Sequence, residues 1–132
     1  MGQQQLLLII LGVIIVGIAI AVGVAQFGAH SSQSNKDGVS TTLVNIAANA
    51  YQFKIRPTSM GGGGGAYDNS KGATAAYNIP SKMAADDNGT YTLTSTAPTT
   101  CVIKGTSTIN TAWSASCTTN DTGKTTITYT GW

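Results

Sequence analysis

Residues Leu6 to Phe27 read LLLIILGVIIVGIAIAVGVAQF, with no charged side chain and a single amide, Gln26, near the end. No other stretch constrains the chain so strongly. As a helix rising about 1.5 Å per residue, these 22 residues would run roughly 33 Å, enough to cross the hydrocarbon core of a bilayer. Whatever follows is then tethered. Only Met1, Gly2 and the amides Gln3, Gln4 and Gln5 precede the run, so the basic leader with which a secretory signal begins is missing. A removable signal would be cut after Gly23-Val24-Ala25, but the apolar run before that point exceeds a usual signal core. The expectation is an uncut membrane helix, with a cleaved signal as the alternative.

The run also carries small residues in register. Gly17, Ala21 and Ala25 recur every four residues and Ala19 and Gly23 form a second pair, so another helix could approach closely along this stripe. Leu7, Leu11 and Ile14 are assigned with Gly17, Ala21 and Ala25 to helix packing. Gly and Ala are also simply common in spanning helices. In water, Gly12, Gly17, Gly23 and Gly28 would each weaken the helix by about 1 kcal/mol relative to Ala, which makes local unwinding an expectation.

Beyond the run, 132 residues leave space for one small globular domain, of roughly 70 to 80 residues. Charged residues are 9% of the chain, the net charge is +2 and glutamate is absent. That balance gives no argument for nucleic acid or for acidic substrates. Cys101 and Cys117 both lie in the distal part. A bridge between them would add about 3 kcal/mol in an oxidising compartment and place the domain outside the cytoplasm. Two reduced, buried thiols are the other reading.

From Gly28 to Gly38 the sequence is polar and poor in helix formers, consistent with a loosened helix or a short stalk. Val39, Leu43, Ile46, Ala50 and Phe53 then step by four and three, an amphipathic helix that Pro57 ends. Asn45, Asn49, Gln52 and Arg56 fall on its more polar side. Gly61 to Gly65 are five consecutive glycines, read as the pivot into the distal domain. They lack the Gly-Lys-Ser/Thr sequel of a phosphate loop. Residues 66–88 look irregular, with turns at Pro80 and at Asp86-Asp87-Asn88-Gly89, the latter without the acidic spacing of a calcium loop.

After Gly89 the period becomes two. Strands are expected through Thr90–Thr94, through Cys101–Lys104, through Ile109, Thr111, Trp113, Ala115 and Cys117, and through Thr125–Thr130. Turns are expected at Pro98, near Gly105 to Ser107, and at Asn120 to Gly123. The fold class is α+β: a long N-terminal apolar helix continuing into an amphipathic one, packed on a small antiparallel sheet. Its divisions are 1–28 (spanning or core helix), 29–57 (polar segment and amphipathic helix) and 58–132 (β-rich domain).

Catalytic equipment is sparse. His30, the single histidine, has no acidic neighbour at helical spacing, and Asp37, Asp68, Asp86, Asp87 and Asp121 are scattered through turn-like sequence. Neither a carboxylate pair nor a metal-ligand cluster can be proposed, so the expectation is no enzyme, no cofactor and no metal. Asn88-Gly89-Thr90 and Asn120-Asp121-Thr122 match the N-glycosylation pattern on exposed turns.

A tiny polar start, an apolar helix continuing into an amphipathic one, a glycine run and a small β-domain with two cysteines together resemble the type IV pilin superfamily, including its archaeal relatives. The resemblance covers the whole chain as architecture, and residues 1 to about 28 as sequence. It implies cleavage by a prepilin peptidase after Gly2, a mature chain beginning at Gln3, and insertion in the membrane before assembly. It further implies that many copies of the chain pack their N-terminal helices into an extracellular filament, built by inner-membrane machinery and serving adhesion or surface interaction. One departure is plain. Most bacterial pilins carry a glutamate five residues into the mature chain, where this one has Leu7, or Gln5 if Met1 is the mature terminus. A single-pass, membrane-anchored β-domain acting as an adhesin or binding module is the competing expectation.

Overall fold

The computed structural model describes residues 2–132. One helix, α1 (Gly2–Ile55), is followed by a short 3-10 turn (Thr58–Met60) and by strands β1 (Gly89–Thr96), β2 (Cys101–Ser107), β3 (Ser114–Thr119) and β4 (Thr125–Thr130). The chain divides into two units, residues 1–34 and 35–132. The polar residues 29–34 thus group with the apolar helix, and the amphipathic segment with the β-domain.

Within 28–38 no break occurs, and α1 runs on through the polar segment. Ser32 donates to the Ala29 carbonyl (3.0 Å), and just beyond, Ser40 and Thr41 donate to the carbonyls of Lys36 (2.7 Å) and Asp37 (2.9 Å). Hydroxyls that could have competed with the helix by forming turns are used inside it.

In the second unit the four strands form an antiparallel meander in the order β1-β2-β3-β4. The buried face of α1 runs through Asn35, Val39, Leu43, Ile46, Ala47, Ala50 and Lys54. It shares one core with Tyr67, Tyr77, Ile79, Tyr91, Cys101, Ile103, Ala115 and Cys117. Alternate residues of β2 and β3 point into this core and the intervening ones outward, as a sheet covered on one face requires. The α+β class and the helix-on-sheet arrangement follow from these contacts.

One strand starts later than its alternation suggests. β3 begins at Ser114, and Gly105 to Ser107, expected to turn, complete β2. Residues 108–113 make the connection, with Trp113 N–H donating to the Asn110 carbonyl (2.9 Å) and Ile109 left 57% exposed. The alternating pattern there is coincidental: Asn110 closes the turn, its carboxamide accepting from Ala112 N–H (3.0 Å). At the C-terminus Trp132 stacks on Trp113 with ring centroids 5.1 Å apart, and its indole N–H donates to the Ser114 carbonyl (3.0 Å).

The glycine run is not a free pivot. Gly63 and Gly65 N–H groups donate to the Phe53 and Lys54 carbonyls (2.7 Å each), and Gly64 N–H donates to that of Arg56 (3.0 Å). These are carbonyls that the end of a helix leaves without internal partners. A Cβ on Gly62 or Gly63 would fall 2.3 Å from the Arg56 carbonyl oxygen or 1.9 Å from that of Ala66. The run is a helix cap made of backbone, wound too tightly for side chains at Gly62 and Gly63.

Candidate functional site

The first unit consists of helix alone, and its apolar side chains have no cover. From Leu6 to Phe27 every large hydrophobic side chain is more than half exposed, from 52% for Ile14 to 78% for Phe27. Burying a side chain of this kind is worth about 1.5–3 kcal/mol, so the segment as a whole has a driving force of tens of kcal/mol toward lipid or protein. It is long and apolar enough to cross a membrane. At 100° per residue Leu7, Leu11, Ile14, Gly17, Ala21 and Ala25 fall on one stripe about 120° wide, the arc over which a second helix makes contact.

Nothing inside the chain asks for a glycine at position 17. A Cβ there would meet no atom within 4 Å, and the same holds at Gly2, Gly12, Gly23 and Gly28. Gly38 is the contrast, since a Cβ there would lie 2.5 Å from the Asn88 side chain. Gly2 and Gln3, the expected processing position, are exposed in the first turn of α1, and that turn has no acidic residue.

The second unit is riveted to its length of helix by polar contacts. Asn35 donates from Nδ2 to the Asn88 carbonyl (2.9 Å) and accepts at Oδ1 from the Ser107 hydroxyl (2.6 Å). The Asp86 carboxylate accepts from the backbone N–H groups of Asn88 and Gly89 (2.9 Å each). It also accepts from the hydroxyls of Thr42 (2.7 Å) and Tyr91 (3.1 Å). Burial pushes its pKa up but is outweighed by these four donors, so the carboxyl sits below its ordinary range. At the far end Lys54, buried at the edge of the core, pairs with Asp121 and lies 5.4 Å from the centroid of the Tyr67 ring. The Tyr67 hydroxyl donates to the Asn120 carbonyl (2.8 Å); burial first, and then the neighbouring Cys101, Tyr51 and Asp121, push its pKa up to about 12.

Cys101 and Cys117 are free thiols, and the expected bridge is corrected. Across β2 and β3, Cys101 faces Thr119 and Cys117 faces Ile103, which makes the two cysteines diagonal neighbours. Such diagonals lie about 7–8 Å apart, beyond the Cα separation a disulfide spans. Both thiols are buried, and burial pushes their pKa values up to about 12 for Cys101 and about 11 for Cys117.

The two glycosylation candidates differ in setting. Asn88 has its side chain against Gly38 of the helix. Asn120 accepts at Oδ1 from Thr122 N–H (3.1 Å), the Thr122 hydroxyl (2.8 Å) and Lys124 N–H (2.8 Å) in the β3–β4 turn, so its carboxamide oxygen is tied down within its own turn.

Sequence reasoning missed Asn35, Lys54, Asp86 and Ser107 as the groups that fasten the domain. Lys54 had left a signal, since it continues the Ala47 and Ala50 stripe by one helical turn. Asn35 had left none, lying in a polar segment that reads as solvated. No family profile, curated protein or solved structure matches the chain. The architecture itself is pilin-like: one long N-terminal helix, apolar in its first half, whose second half is packed on a four-stranded antiparallel sheet.

Proposed function

We propose that this chain is the structural subunit of an extracellular helical filament of the pilin type, serving adhesion or surface interaction. The observation that carries the reading is the apolar segment 6–27, exposed throughout and attached to a domain complete without it. Outside a membrane such a segment is stable only when many copies bury it together. Head-to-tail contacts whose rotation does not close give an open helical fibre rather than a ring. In this scheme the membrane holds the chain first, a prepilin peptidase cuts it after Gly2, and inner-membrane machinery extrudes it into the fibre. Leu7, Leu11, Ile14, Gly17, Ala21 and Ala25 form the packing stripe, and the threonine-rich outer face of the sheet meets solvent or a target surface.

The test is to shear cells that make the chain and to look for it in pelleted filaments by electron microscopy and gel analysis. Recovery as the main component of fibres supports the filament reading. A chain that stays with the membrane fraction as a monomer would instead be a single-pass anchor displaying a β-domain.

A further inference from the structure

A terminal ammonium at the head of a buried apolar helix needs a counter-charge, and this chain has no carboxylate near its start to offer. Its first carboxylate is Asp37, and the first turn of α1 contains no acidic residue. If the chain is processed after Gly2, the reading on which this inference rests, Gln3 becomes the terminus. Its ammonium would then sit at the positive pole of the helix, where cations are disfavoured, and beside Leu6, Leu7 and Leu8, where an unpaired charge is costly to bury. The position at which most bacterial pilins carry a neutralising glutamate is Leu7.

The new terminal residue has the means to remove that charge itself. We infer that Gln3 closes onto its own amine to give a terminal pyroglutamyl lactam. The unprotonated α-amine attacks Cδ of the Gln3 side chain, a bond forms between Nα and Cδ, the bond from Cδ to Nε2 breaks, and ammonia leaves. The step is an exchange of one amide for another through a five-membered ring, so it needs no oxidant, reductant or activating group. Its product is neutral and keeps one N–H donor and one carbonyl acceptor, with the amides of Gln4 and Gln5 close by in sequence as partners. A Leu at position 7 is then consistent with the rest of the helix, because no charge is left there to balance.

The deciding measurement is the mass of the N-terminal peptide from sheared filaments, prepared without prolonged incubation, together with its behaviour in stepwise terminal degradation. The expected peptide begins at residue 3, is lighter than its sequence by one ammonia, resists degradation and becomes degradable after treatment with a pyroglutamyl aminopeptidase. A peptide beginning at Gln3 at full mass, or with a methylated amine, overturns the lactam and leaves the filament reading standing. One beginning at Met1 overturns the lactam and the cut after Gly2, and one beginning after Ala25 overturns the filament reading as well. Replacement Gln3→Ala keeps the glycine before the cut but cannot cyclise, and it is expected to leave a free amine and to lower filament yield several-fold. An unchanged yield from processed Gln3→Ala chains would overturn the claim that removal of the charge is what assembly requires.

Discussion

Asp86 has one carboxylate and joins two elements with it: β1 and its entry turn, through the N–H groups of Asn88 and Gly89 and the Tyr91 hydroxyl, and the helix through Thr42. These donors favour the charged form, so the folded carboxyl titrates below the ordinary value of 3.8. The stabilisation is complete above that value and is lost as pH falls through the lower, folded one. At neutral pH Asp86→Asn is expected to cost about 1–2 kcal/mol, the lower part of the range for charged hydrogen bonds because the group is partly exposed. The difference in melting temperature between the two proteins in detergent should close as pH drops below 3.8; a constant difference would show that the charge is not what matters. The cysteines make a second residue-scale case. With the two thiols buried and their pKa values at about 12 and about 11, almost no thiolate exists at neutral pH. Reductant is expected to leave the melting temperature unchanged, and iodoacetamide to label Cys101 and Cys117 only after denaturation. A reductant-sensitive melt would restore the bridge.

At the scale of the element, the glycine run shows how far composition can mislead. Five glycines read as flexible chain, yet Gly63 to Gly65 supply the N–H groups that close the end of α1. Gly62→Ala or Gly63→Ala should therefore cost more than about 2 kcal/mol, since a Cβ would meet backbone that cannot move aside cheaply. Gly61→Ala should cost only about 1–2 kcal/mol, the penalty of a left-handed residue in open space. Equal small effects in thermal or denaturant melts would return the run to the status of a linker. The elements legible from pattern alone were those whose side-chain period met a single neighbour. Val39, Leu43, Ile46 and Ala50 announced a face, and Thr125 to Thr130 announced a strand, because burial on one side writes the period into the sequence. The turn at 108–113 was hidden because Ile109, Thr111 and Trp113 imitate that period while Asn110 sets the backbone. Asn35 and the tie from Asp86 to the helix were hidden for another reason: Asn88 and Ser107 are distant from Asn35 in sequence, as Thr42 is from Asp86, and no local pattern marks a contact of that kind.

For the whole molecule, the two halves of α1 obey different rules, and the difference bears on function. In residues 35–55 each buried side chain has a partner in the sheet domain, and a glycine such as Gly38 is explained by what sits against it. In residues 6–27 nothing in the chain accounts for any choice of residue, Gly17 included. A spanning helix needs only to be apolar, and Leu at position 17 would be more apolar and a better helix former. A packed helix needs Gly17, because a large side chain would hold a neighbour's backbone away. Gly17→Leu is thus expected to insert in membranes as well as the natural chain and to leave the melting of the sheet domain unchanged, while sheared filaments fall by at least tenfold, about 1.4 kcal/mol per subunit contact. Membrane fractionation, melting in detergent and the filament count measure the three terms separately. Normal filaments from Gly17→Leu chains would mean that the stripe of Gly17, Ala21 and Ala25 is merely the composition of a membrane span, and that any filament is held together through another face.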